Sequence, residues 1–137
     1  MATYNKFQGF VGYLGLAAVN LNTDTLKVYA TNAAPSAADD DVKADLAEIT
    51  PEHDYPSGGS DVQNTYSEAA GTGTLAGTDV VWTASGGSFG PLRYVVMYDD
   101  THGSDILISW WDYGSSVTVL TGETFTVDFG ASIFTIA

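Results

Sequence analysis

Apolar and polar residues alternate along most of the chain. In "DTLKVYAT", residues 24 to 31, Leu26, Val28 and Ala30 alternate with Thr25, Lys27, Tyr29 and Thr31, the period of a half-buried strand. Further strands are predicted over 79–84 "DVVWTA", 91–98 "PLRYVVMY", 105–111 "DILISWW", 115–120 "SSVTVL", 124–129 "TFTVDF" and 132–137 "SIFTIA". The stretches between them, "SGGSFG", "DDTHGS", "DYG" and "TGE", all contain glycine, and "SGGSFG" reads as a hairpin. Short strands at regular spacing with glycine turns predict a mainly β chain: an antiparallel β-sandwich or jelly-roll-like domain over 1–137. The N-terminus breaks this rhythm. Phe7, Phe10, Val11, Leu14 and Leu21 fall on one helical stripe, which predicts a short helix or arm within 1–22. Gly9, Gly12 and Gly15 weaken that helix, and leave two roles for it: packing on its own sheet, or close approach to a neighbouring chain.

Two adjacent tryptophans pose a packing problem. In "LISWWDYGSSVTV" strand alternation puts Ile106, Ile108 and Trp110 on one face and Leu107, Ser109 and Trp111 on the other. Burying a tryptophan removes on the order of 200 Å² from water, so each face needs a cover. The N-terminal helix, a loop or a neighbouring subunit could supply the second one. Alternation is clean in "TFTVDF", with Phe125, Val127 and Phe129 inward, whereas "PLRYVVMY" is apolar on both faces and is expected to be covered on both.

Between strands lies a different kind of segment. "NAAPSAADDDVKAD" and "PEHDYPSGGSD" define an acidic loop region over 32–61, broken by one short predicted strand in "KADLAEIT". Asp39, Asp40, Asp41, Asp45, Glu48, Glu52, Asp54 and Asp61 place eight of the 17 acids there. Loops of that length are usually functional or mobile.

Charge narrows the partners. The 137 residues carry 17 Asp and Glu against four cations, Lys6, Lys27, Lys43 and Arg93, for a net charge of −13. Four cations cannot track a phosphate backbone, so nucleic acid and anionic membrane are not expected as partners. The apolar run "GFVGYLGLAAV" is interrupted by glycines and preceded only by Lys6, so it is not expected to be a secretory signal, and no membrane span is expected. Synthesis in a cytoplasm is the expectation. Cysteine is absent, which excludes disulfides and thiolate chemistry.

Candidate chemistry is sparse. His53 and His102 both sit in predicted loops, and the chain has no zinc-protease helix, nucleophile elbow, phosphate loop or dinucleotide fingerprint. "YDDTHGSD" gathers Asp99, Asp100, His102 and Asp105, enough oxygen for calcium only if the loop wraps; it reads first as an acidic hairpin tip. Arg93, alone in an apolar strand, is expected to pair with Asp79, Asp112 or Asp128. No catalytic residue, cofactor or metal is assigned.

"ATYNKF", "DTLKVYATNAAP", "VKADLAEI", "VVWTASGGSFGPLRYVVMYDD", "WWDYGSS" and "GETFTVDF" together resemble a family of short proteins encoded among the virion genes of tailed bacteriophages. "WTASGGSFGPLRY" and "WWDYGSS" are the most specific of these. The resemblance implies a non-enzymatic particle component such as a capsid decoration, or cement, protein. Its partners would be the major capsid protein and copies of itself, a trimer being expected, on the outer capsid surface of the virion. Tail-tube or tail-tip subunit, carbohydrate-binding module of a receptor-binding apparatus and cell-wall hydrolase are the alternatives, in that order. A docking protein needs apolar contact residues. Trp110 and Trp111 are the first candidates for the interface, with Phe7, Phe10 and Tyr13 next.

Overall fold

A computed structural model describes residues 2–137. Ten strands and one helix follow the order β1 (Thr3–Lys6), α1 (Gln8–Gly15), β2 (Leu26–Thr31), β3 (Ser60–Asp61), β4 (Thr65–Ala69), β5 (Thr72–Ala76), β6 (Val80–Thr83), β7 (Phe89–Asp99), β8 (Ile106–Val119), β9 (Thr124–Val127) and β10 (Phe134–Ile136). They form a five-stranded sheet in the order β1-β8-β7-β2-β3, a three-stranded sheet β10-β5-β4 and a two-stranded sheet β6-β9. Every pairing is antiparallel. The mainly β expectation therefore holds, with antiparallel sheets and one short helix.

The large sheet is apolar on both faces, as its two longest strands demand. One face carries Leu26, Val28, Ala30, Phe89, Leu92, Val95, Met97, Ile106 and Ile108 into the main core, where Leu75, Val80, Trp82 and Phe129 meet them from the other strands and loops. The other face holds a smaller cluster of Tyr29, Val96, Tyr98, Leu107 and Trp110 with Phe7 and Leu46. Trp110 and Trp111 do point to opposite faces, but not in the company expected. Met97 pairs with Ser109 and Tyr98 with Leu107, so Ile108 is an extra residue in β8. That bulge reverses the alternation. Ile106 and Ile108 thus share the main core with Trp111, while Leu107 shares the smaller cluster with Trp110.

Other expectations are corrected by long-range pairing. The "DYG" stretch does not end a strand: β8 runs unbroken through it for 14 residues. Its effect survives as a wide bulge, since Tyr94 pairs with Asp112 and Leu92 with Val117, leaving Arg93 opposite Tyr113 to Ser116. "SGGSFG" is a crossover and not a hairpin, because β6 pairs with β9 while β7 pairs with β2 and β8. The N-terminal helix is only eight residues long, and of its stripe only Phe10 is buried within it; Val11 is exposed. Phe7 precedes the helix and turns into the opposite cluster. A strand, β1, stands before it and pairs with the tryptophan segment of β8, Tyr4 opposite Trp111 and Asn5 opposite Trp110. Gly9 lets the helix approach the chain's own Asp41, with whose carboxylate a methyl group would collide; Gly12 and Gly15 face open space.

The segment between β2 and β3 is tied to the large sheet along its length. "KADLAEIT" holds a 3-10 turn, Lys43–Asp45, in place of the expected strand, because the Asp45 carboxylate accepts the Asp41 and Val42 N–H groups and curls the chain. Leu46, Ile49 and Tyr55 are buried against the sheet, whereas Asp39, Asp41, Asp45, Glu52 and Asp54 point outward. Backbone contacts lock the crossing: Ile49 N–H donates to Ala30 carbonyl, and Ala30 N–H to the Tyr55 hydroxyl at 2.8 Å. Tyr29 and Tyr98 hydroxyls reach the Leu46 and Gly58 carbonyls. Burial, with Glu48 nearby, pushes the Tyr29 and Tyr55 phenols far above the ordinary range, so both remain donors.

Candidate functional site: an aromatic cleft between β8 and β9

The outer edge of β8 is covered for half its length. Lys43 N–H donates to Asp105 carbonyl, Leu107 N–H to Asp41 carbonyl and Phe7 N–H to Ile108 carbonyl, and β1 then covers Ser109 to Asp112. Beyond Asp112 the strand swings out through its wide bulge. Gly114, at φ 101°, makes the swing, and the Asp112 carboxylate accepts the Gly114 N–H at 2.8 Å. Arg93 anchors its base with a bidentate contact to Asp112, Nε to Oδ1 at 2.9 Å and Nη2 to Oδ2 at 3.1 Å. Of the three partners considered for Arg93, Asp112 is the one it meets. The Arg93 guanidinium holds the Asp112 carboxyl below the usual carboxylate range. Asp79 and Asp128 instead accept the backbone N–H groups of Phe129 and Gly130.

The swing opens a cleft of about 480 Å³ between β8 and the chain running from β9 to Gly130, lined by Trp111, Tyr113, Phe125, Val127, Asp128 and Phe129. Trp111 lies against Phe129 with ring centres 5.6 Å apart, and Tyr113 against Phe125 at 5.5 Å. Tyr113 is half exposed at 52%. Phe129 is buried at the back of the cleft, while the partly exposed Trp111, Tyr113 and Phe125 offer flat apolar surface beside the Asp128 carboxylate, suited to an apolar side chain or the face of a sugar ring.

The sequence-predicted contact residues divide between buried and accessible. Phe7, Phe10 and Trp110 are buried within their own chain, at 0%, 3% and 8% exposure, so these three cannot form an interface in this folded state. Phe7 sits 4.6 Å from Trp110 and Leu46 joins them from the segment after β2, while Phe10 enters the main core against Phe134. Trp111 and Tyr13 are partly exposed. Tyr113, Phe125 and Phe129 were not among the expected contacts. Tyr113 had one signal: beside glycine in "WWDYGSS", a strand can bulge and re-aim a side chain.

The histidine-containing turn does not form one ligand set. Asp99 accepts the Thr101 and His102 N–H groups, Asp100 meets Lys27 at 3.0 Å and His102 Nδ1 accepts the Ser104 N–H. Among the described residues no three His, Cys, Asp or Glu side chains are grouped to hold a metal ion. No helix of the described residues is long and apolar enough to cross a membrane. No family model matches this chain, and neither a curated protein nor a solved structure matches it.

Proposed function

We propose that this chain is a non-enzymatic virion structural protein of a tailed bacteriophage, a capsid decoration protein that binds and stabilises the outer shell. The observation that carries the reading is the open aromatic cleft on a chain whose net charge is −13. Charge keeps the free protein soluble, and the cleft supplies the apolar area that docking on a preformed shell requires. The resemblance of "WTASGGSFGPLRY" and "WWDYGSS" to phage virion proteins supports the same reading. In this proposal the three sheets are the layers of a sandwich or jelly-roll-like domain. The cleft faces the major capsid protein, a homotrimer sits on a local symmetry axis, and the acidic segment between β2 and β3 faces outward.

Quantitative peptide mass spectrometry of purified particles, with heads and tails separated, tests this proposal. Abundance in heads comparable to the shell protein is the expected result. Recovery only with tails would replace it by a tail-tube or tail-tip role. The cleft's paired rings and rim carboxylate favour one second reading, a carbohydrate-binding module. That reading requires glycan binding by the free protein, abolished in Tyr113→Ala.

A further inference from the structure

A second unusual site lies where the turn ahead of β2 meets the turn between β7 and β8. Leu26 pairs with Asp99 at the end of the large sheet, and the contact continues beyond it: Asp100 N–H donates to the Thr25 carbonyl at 2.9 Å and Thr25 N–H to the Thr101 hydroxyl at 2.7 Å. Asp24 therefore stands beside the Asp99 turn. Asp99 is completely buried, at 0% exposure. Its Oδ1 accepts the N–H groups of Thr101 and His102, at 2.9 and 3.3 Å. Its Oδ2 has no hydrogen-bond partner. The Asp24 carboxyl neighbours the Asp99 carboxyl, and its Oδ2 accepts the Asn20 N–H at 2.7 Å.

Two facing carboxylates repel, and a buried acceptor without a donor is costly. One proton between them removes both problems, by turning one carboxylate oxygen into a donor for the other. We propose that Asp24 and Asp99 share a proton that latches the turn ahead of β2 to the β7–β8 turn, closed in mildly acidic solution and loosened above it. This inference is independent of the docking proposal.

The surrounding charges leave the pair without a compensating cation. Lys27 on β2 is engaged by Asp100, and Lys43 by Glu48. Asp100, His102 and Asp105 complete the charged and titratable groups of the turn itself, and Asn64 reaches the Asp24 carbonyl with a neutral amide. Burial and the neighbouring Asp24 push the Asp99 carboxyl up to about 6. A folded-state value above the unfolded one means that the native state binds the proton more tightly. This contribution to stability is fully present below about pH 4 and is lost as pH rises through about 6. Two units correspond to roughly a hundredfold in the folding equilibrium constant.

Urea unfolding of the full chain from pH 4.5 to 7.5, compared among wild type, Asp99→Asn and Asp24→Asn, tests the latch. The wild type is expected to lose tens of times more in folding constant across this range than either variant, in which an amide already supplies the donor. Equal pH dependence in wild type and both variants would overturn the proposal. Titration of the Asp99 side-chain carboxyl carbon by NMR in the wild type keeps the test decisive if the variants do not fold. A midpoint above 5 supports the shared proton and one below 4.5 contradicts it. Stabilisation of the wild type, but not of the variants, by millimolar calcium at pH 7.5 would assign the pair to a metal ion and also overturn the latch.

Discussion

Trp110 and Trp111 differ by one position and by their whole surroundings. Their opposite directions were legible from strand alternation alone. Their covers were not, because Phe7 and Leu46 over Trp110, and Tyr4 and Phe129 beside Trp111, come from distant parts of the chain. Nor could the sequence reveal the extra residue at Ile108, since a bulge is defined by the register of a partner strand. Trp110→Ala should leave a cavity inside a closed cluster and cost about 3 to 5 kcal/mol in urea unfolding. Tyr113→Ala, on the exposed bulge, should change stability by less than about 1 kcal/mol while removing one wall of the cleft. The Arg93–Asp112 pair has the opposite pH sign from the Asp99 carboxyl. Because Asp112 is held low in the folded state, its contribution is present above the ordinary carboxylate range and fades as pH falls through the folded value.

Among the elements, those with strong alternation were legible and those shaped by contacts were not. β2, β6 and β9 lie within the strands read from the pattern of Leu26, Val28, Trp82, Phe125 and Val127. The β4–β5 hairpin escaped notice because its two-residue turn is Ala70-Gly71, with both residues at positive φ (52° and 84°), where Asn-Gly is the familiar signal. The segment after β2 reads as a long acidic loop; Asp39, Asp41, Asp45, Glu52 and Asp54 are exposed, but Glu48 turns inward to accept from the Tyr55 hydroxyl and the Gly58 N–H. Its buried Leu46, Ile49 and Tyr55 occur at no regular period, so their common face is set by the sheet beneath them. Gly59 marks the tightest point of that crossing. It combines φ of 72° with a position where a methyl group would collide with the Val28 carbonyl. Gly59→Ala should therefore cost about 2 to 4 kcal/mol, against about 1 kcal/mol for Gly71→Ala, whose φ is also positive but whose surroundings are open. Thermal unfolding of the two variants side by side measures the difference.

Across the whole molecule, acidic charge meets two apolar openings of about 480 Å³ each, the aromatic cleft and one lined by Leu14, Val19, Leu21, Tyr66 and Ile136. Seventeen acids against four cations predict no DNA gel shift even at low salt, since no continuous cationic track exists to release counterions. The cleft itself was invisible in the sequence because it arises between two sheets whose strands, β8 and β9, do not pair. Only the folded chain separates Phe7, Phe10 and Trp110, which hold it together, from Trp111 and Tyr113, which remain accessible. The proposed docking on a phage head would act through those residues, so purified protein, wild type and Tyr113→Ala, is titrated onto phage heads that lack it, with the bound fraction measured by sedimentation. Saturable binding of the wild type with at least a tenfold weaker affinity for the folded variant is the predicted result. Equal binding by both proteins, or no binding by either, would rule out docking through the cleft.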